Sequence, residues 1–149
     1  MLRETTLDTK RYPGFWLIMM IFLSLLLAPT ARSNDIETAT KLMADGKFYE
    51  AAEMAEAVGD ARGLTLAARA LAIYGYEIAP ENEKQELFLR AIVHAEKAVE
   101  LDPNSSEAAL EVSHTLGRYA QTVGVAEALT GGFAEKTRAA MDRAVQLDP

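Results

Sequence analysis

The chain has 149 residues, no cysteine and a net charge of −7 at pH 7. Without cysteine there is no disulfide framework and no thiolate chemistry. Without a basic stripe interleaved with aromatics, the acidic field repels a phosphate backbone and excludes nucleic acid as a partner.

In chain order, the first feature is the uncharged apolar run FWLIMMIFLSLLLA at residues 15–28. It falls short of the roughly 20 residues of a bilayer span and fits the apolar core of a secretory signal. Arg3, Lys10 and Arg11 precede it, and Ala31-Arg32-Ser33 offers the small-x-small pattern that signal peptidase accepts. The expected cleavage follows Ser33, making residues 1–33 a signal peptide and the protein periplasmic or exported. Glu4 and Asp8 in a long leading segment keep a second possibility open, in which residues 15–28 stay as a tether to the inner membrane. Residues 34–149 hold 11 basic and 20 acidic side chains, a net charge of −9, and are enough for one domain, not two.

After the signal, every segment reads as helix punctuated by glycine or proline, and no run alternates long enough for a strand. Asn34 with Glu37 reads as an N-cap and its reciprocal partner, opening a helix that Gly46 closes. A second helix runs from about Phe48 to Val58 and stops at Gly59-Asp60. A third spans about Ala61 to Ile78, with Leu64, Ala67, Leu71 and Tyr74 on one face, and Pro80 bars its continuation. Asn82 with Gln85 repeats the capping pattern before a helix that buries Leu87, Ala91, Ala95, Ala98 and Leu101. Asn104 with Glu107 caps the next, whose apolar side is Ala109, Val112, Leu116, Tyr119 or Ala120, and Val123. Val125 to Leu129 adds a turn or two, and Phe133 to Leu147 is the final helix. The expected fold is all-α, six main helices paired as three antiparallel hairpins.

Two stretches forty-six residues apart are near copies: RAIVHAEKAVELDP at 90–103 and KTRAAMDRAVQLDP at 136–149. Helices that recur in this way acquire a core by stacking. Ala91-x-x-x-Ala95-x-x-Ala98-x-x-x-x-Pro103 resembles the second helix of a tetratricopeptide repeat, with alanine where an aromatic is usual. Gly46-Lys-Phe-Tyr-Glu-Ala51-Ala52 resembles the turn joining the two helices of such a repeat. The interval exceeds the usual thirty-four residues and is similar to the expanded layout of the regulator-of-microtubule-dynamics proteins and related exported bacterial proteins. The resemblance covers Ile36 to Pro149. It implies a short TPR-like α-solenoid, and because the family array continues with further helices, it implies either a chain cut short at Pro149 or a short member of the family.

No reaction centre emerges from the polar residues. His94 lacks a second donor at helical spacing for a metal and reads as solvated or partner-facing. His114, with Glu111 and Arg118 nearby, reads as ordinary charge pairing on the polar side of its helix. Ser113 adjoins His114, but sequence neighbours on a helix diverge by about 100°. Gly124 and Gly131-Gly132 match no phosphate-binding loop. No metal or other cofactor and no catalysis are expected. What remains is a concave wall contributed by the first helix of each hairpin, drawing on Arg69, Tyr76, His114, Arg118 and Gln121 as groove candidates for an extended peptide with a carboxylate end or acidic side chains. The expected function is a non-catalytic protein- or peptide-binding scaffold of the cell envelope. The alternatives are an accessory ligand-binding subunit of an envelope transport system, marked by a deep apolar pocket under residues 124–132, and microtubule association, implied by the family resemblance alone. Met141 and Val145 turn away from the packed side of the final helix, so self-association there is expected.

Overall fold

A computed structural model describes residues 34–149. The expected signal, its cleavage junction and the 15–28 tether lie outside the described residues, except for Asn34. Among the described residues all regular structure is helical: α1 over residues 34–44, α2 Phe48–Val58, α3 Ala61–Glu77, α4 Glu81–Leu101, α5 Ser106–Thr122, α6 Val125–Thr130 and α7 Phe133–Leu147. None of these helices is long and apolar enough to cross a membrane.

The ends of the helices follow from local chemistry. Gly46 and Gly59 take the left-handed conformation, with φ of 76° and 71°, which only glycine adopts at little cost. Asp60 caps α3 by accepting the Gly63 N–H at 2.8 Å. The three asparagine caps expected from sequence are corrected. Asn34 already lies within α1. Pro80, at φ −65° and ψ 152°, is the residue before α4; its ring fixes the entry angle and Asn82 falls inside the helix. Ser105, not Asn104, caps α5 by accepting the Ala108 N–H at 3.1 Å, because the Asp102 carboxylate draws the Asn104 N–H into a preceding turn.

Each helix packs on its neighbour: α2 on α3, α3 on α4, α4 on α5, and α5 on α7, with α3 also meeting α5. The seams are made of small residues. Ala39, Ala55 and Ala67 join α1, α2 and α3, while Ala51, Ala52, Ala70, Leu71, Leu87 and Ala91 join α2, α3 and α4. Side chains this short let helix axes approach toward the lower end of the ~8–10 Å range. At Gly63 the backbones of α3 and α2 come so close that a Cβ would lie 2.6 Å from the Ala55 carbonyl oxygen. Helix α3 buries Leu64, Ala67, Ala68, Ala70, Leu71 and Ala72, residues on more than one face, as a central helix must.

Larger side chains fill the space between α4, α5 and α7: Phe88, Ile92, Leu116 and Tyr119, with Val112, Val123 and Phe133 against them. The Tyr119 and Phe133 rings meet edge-on at 5.2 Å. On α4 the expected stripe of Leu87, Ala91, Ala95 and Ala98 is buried, but Leu101 is half exposed. It lies at the helix end, where the chain turns away toward α5. Helix α7 buries only Ala144, leaving Met141 and Val145 exposed.

Candidate functional site

Helices α3 and α5 run in the same direction, as two contacts between them establish. Arg69 of α3 meets Glu111 of α5, and seven residues further along each helix, Tyr76 meets Arg118. Seven residues are two turns, or roughly 10 Å of helix, so the two contacts are rungs of one ladder with His114 between them.

Glu111 anchors the ladder. Its side chain is only 4 % exposed, and a buried carboxylate is tolerated only when paired and hydrogen-bonded. Arg69 Nε–H donates to Oε1 at 2.6 Å, and His114 Nδ1 lies 3.3 Å from Oε2. Arg118 Nε–H donates to His114 Nε2 at 3.4 Å. That last bond needs an unprotonated Nε2, so the two histidine contacts together fit the tautomer with its proton on Nδ1, facing Glu111. The Arg118 guanidinium carbon sits 3.6 Å from the centroid of the Tyr76 ring, a cation–π contact.

Both arginines are therefore held through Nε, and neither Nη pair makes a hydrogen bond among the described residues. A guanidinium fixed by its inner edge presents its outer fork ready for a planar acceptor. Beside Arg69 lies a cleft of ≈ 150 Å³ lined by Ile36 and Thr40 of α1, Arg62, Thr65, Leu66 and Arg69 of α3, and Glu107 of α5.

Of the five groove candidates, the structure brings Arg69, Tyr76, His114 and Arg118 into one connected cluster. Gln121 is exposed and makes no side-chain hydrogen bond among the described residues. Glu111 was expected on a polar, solvated side and is corrected: it is the buried centre that organises the other four. A signal for this exists in the sequence, since Ala108, Glu111 and Thr115 share a face with the small residues that mark close packing elsewhere in the chain. Thr115 is fully buried there, its hydroxyl donating to the Glu111 carbonyl at 2.7 Å.

His94 is also corrected. Rather than facing solvent or a partner, it is 8 % exposed between α4 and α2. Its Nε2 lies 3.5 Å from Glu56 Oε2 without a hydrogen bond. Burial pushes its pKa below the ordinary value despite the pull of Glu56, with Arg90 adding to the depression. Arg90 spans Glu53, at 2.6 Å, and Glu56. Burial opposes its charge, but hydrogen bonds to Glu56 and Glu53 outweigh that and raise its pKa. Among the described residues no group of three potential metal ligands forms.

Comparison with protein-family models, with curated proteins and with solved structures finds no match to this chain.

Proposed function

We propose that this protein is an exported, non-catalytic scaffold, built as a short TPR-like α-solenoid behind a signal peptide, that binds an extended protein or peptide segment along the side formed by α1, α3 and α5. The observation that carries this reading is the ladder Arg69–Glu111–His114–Arg118–Tyr76. It spends a buried carboxylate to hold two guanidinium forks and an aromatic face on one surface, an arrangement that core packing does not require. The like direction of α3 and α5, with α4 packed against both, supports a solenoid in which first helices line a concave wall. Acidic side chains or a terminal carboxylate are the chemistry that suits two arginines fixed in this way.

The transport-subunit reading needs an apolar pocket enclosed by residues 124–132, and α6 buries none of its residues, so nothing in that segment favours it. Microtubule association has no support beyond resemblance, and a net charge of −9 on residues 34–149 opposes docking on another acidic surface. In the proposed setting the protein works in the periplasm, either free after cleavage at Ser33 or tethered through residues 15–28.

The test is selection of peptides from a display library on the purified protein, followed by binding to Arg118→Gln and Tyr76→Ala variants. Tyr76 is about half exposed, so neither change threatens the core. Enrichment of acidic peptides whose affinity falls at least ~10-fold in both variants is expected. Enrichment of basic peptides, or equal binding by the variants, would overturn the assignment.

A further inference from the structure

We infer that the cavity between α2, α3 and α4 is a binding site for a small organic ammonium ion, separate from the peptide surface. The cavity measures ≈ 290 Å³ and is lined by Tyr49, Tyr74, Glu83, Glu86, Leu87 and Arg90. None of these residues belongs to the Arg69–Tyr76 ladder.

Three features define the ligand. Tyr49 from α2 and Tyr74 from α3 meet with ring centroids 5.3 Å apart at an interplanar angle of 57°, so the rings form a tilted corner rather than a stack. Aromatic walls set at an angle attract a cation that lies within about 6 Å of their centroids. Neither tyrosine hydroxyl makes a hydrogen bond among the described residues.

The second feature is charge. Arg90 is the one basic side chain in the wall, and its guanidinium is already taken by Glu53 and Glu56. Glu83 and Glu86, on the same face of α4 one turn apart, form no ion pair among the described residues, while the adjacent Lys84 turns to Glu81. Glu83 in the first turn also complements the positive end of α4, but Glu86 lies beyond the reach of that effect. The wall thus holds two carboxylates unpaired among the described residues and one arginine whose charge Glu53 and Glu56 already offset, which makes the cavity negative and disfavours an anion despite the arginine in its wall.

The third feature is size and hardness. The volume falls at the lower end of the ~300–1,000 Å³ typical of small-molecule sites, enough for one ammonium head group. A hard divalent cation prefers about six or more oxygen ligands, and two carboxylates beside two aromatic faces offer too few. A soft, weakly hydrated organic cation gains from both.

The test is nuclear magnetic resonance titration of the full-length protein with choline, against acetate and against sodium chloride at matched ionic strength, following the Tyr49 and Tyr74 ring protons. Saturable shifts with a dissociation constant on the order of 1–10 mM are expected for choline alone, as one or two exposed cation–π contacts imply. Tyr49→Leu, and Glu83→Gln with Glu86→Gln, should each weaken binding at least ~5-fold. Arg118→Gln should leave it unchanged, which separates this site from the peptide surface. Shifts that grow linearly without saturation, that sodium chloride or acetate reproduces, or that persist in both cavity variants would overturn the inference.

Discussion

Glu111 and His94 are each almost completely buried, and each depends on what faces it across a helix seam. Arg69 and His114 engage the two carboxylate oxygens of Glu111. Replacing Arg69 with leucine removes the stronger partner and leaves an under-compensated carboxylate in the α3–α5 seam. The loss for breaking a buried pair is about 3–5 kcal/mol, and because the Arg69 side chain is 33 % exposed, about 2 kcal/mol is the expectation here. Urea titrations of Arg69→Leu, Glu111→Gln and the double variant measure it. The double variant should be more stable than Arg69→Leu alone, since it no longer buries a charge; if it is not, the carboxylate is not the cause. His94 differs, because burial disfavours its charged form. Its folded pKa lies below the ordinary 6.5, so the unfolded chain binds the extra proton and folding stability is full above that value and declines as pH falls below it. Glu56, whose burial is outweighed by the pull of Arg90 and His94, has a lowered pKa and so loses its contribution only at more acidic pH. Thermal melts between pH 7.5 and 5.5 should show a falling midpoint, largely flattened by His94→Gln.

At the scale of helices, two glycines make opposite predictions. Gly63 in α3 faces the Ala55 carbonyl so closely that a Cβ would lie 2.6 Å from it, and backbone cannot give way as a side chain can. Gly63→Ala should therefore destabilise by about 1–3 kcal/mol through overpacking. Gly117 sits within α5 with nothing within 4 Å of where a Cβ would go, so Gly117→Ala should stabilise by about 0.5–1 kcal/mol from helix propensity alone. Equal effects of the two substitutions in thermal melts would contradict the packing described for α2 and α3. The spans of α2, α3 and α7 were legible from glycine and proline, because those residues act on their own backbone and need no tertiary partner. Capping was less legible. Asn82 and Asn104 look like caps in isolation, but Pro80 fixes the entry to α4 two residues earlier, and Asp102 engages Asn104 before α5 begins. The ladder residues Arg69, Tyr76, His114 and Arg118 were legible as donors and aromatics on α3 and α5. The burial of Glu111 and His94 was not, since it depends on Arg69 and on α2, which reach them only after the chain has folded back.

For the molecule as a whole, the internal repeat shows where packing is incomplete. Met141 and Val145 of α7 correspond to Ala95 and Val99 of α4. Ala95 is fully buried and Val99 partly so, with α5 against their helix; Met141 and Val145 are 41 % and 56 % exposed. Two consequences are expected. The purified protein should self-associate through this face, so that Met141→Lys with Val145→Lys shifts sedimentation toward monomer. Amide exchange should also be faster over residues 133–147 than over residues 87–101, as fits a helix that buries one residue against one that buries seven. A monomer with uniform protection would refute both. The α5–α7 connection permits association of a different kind. It runs through Gly124 and Gly132, at φ 83° and 66°, around α6, which anchors nothing in the core. If that hinge straightens, α7 can leave its own α5 and dock on the α5 of another copy, because the surface it vacates is the one it would find there. Two molecules would then trade helices without making any new kind of contact, and a dimer formed in concentrated solution would persist on dilution for as long as α7 takes to let go.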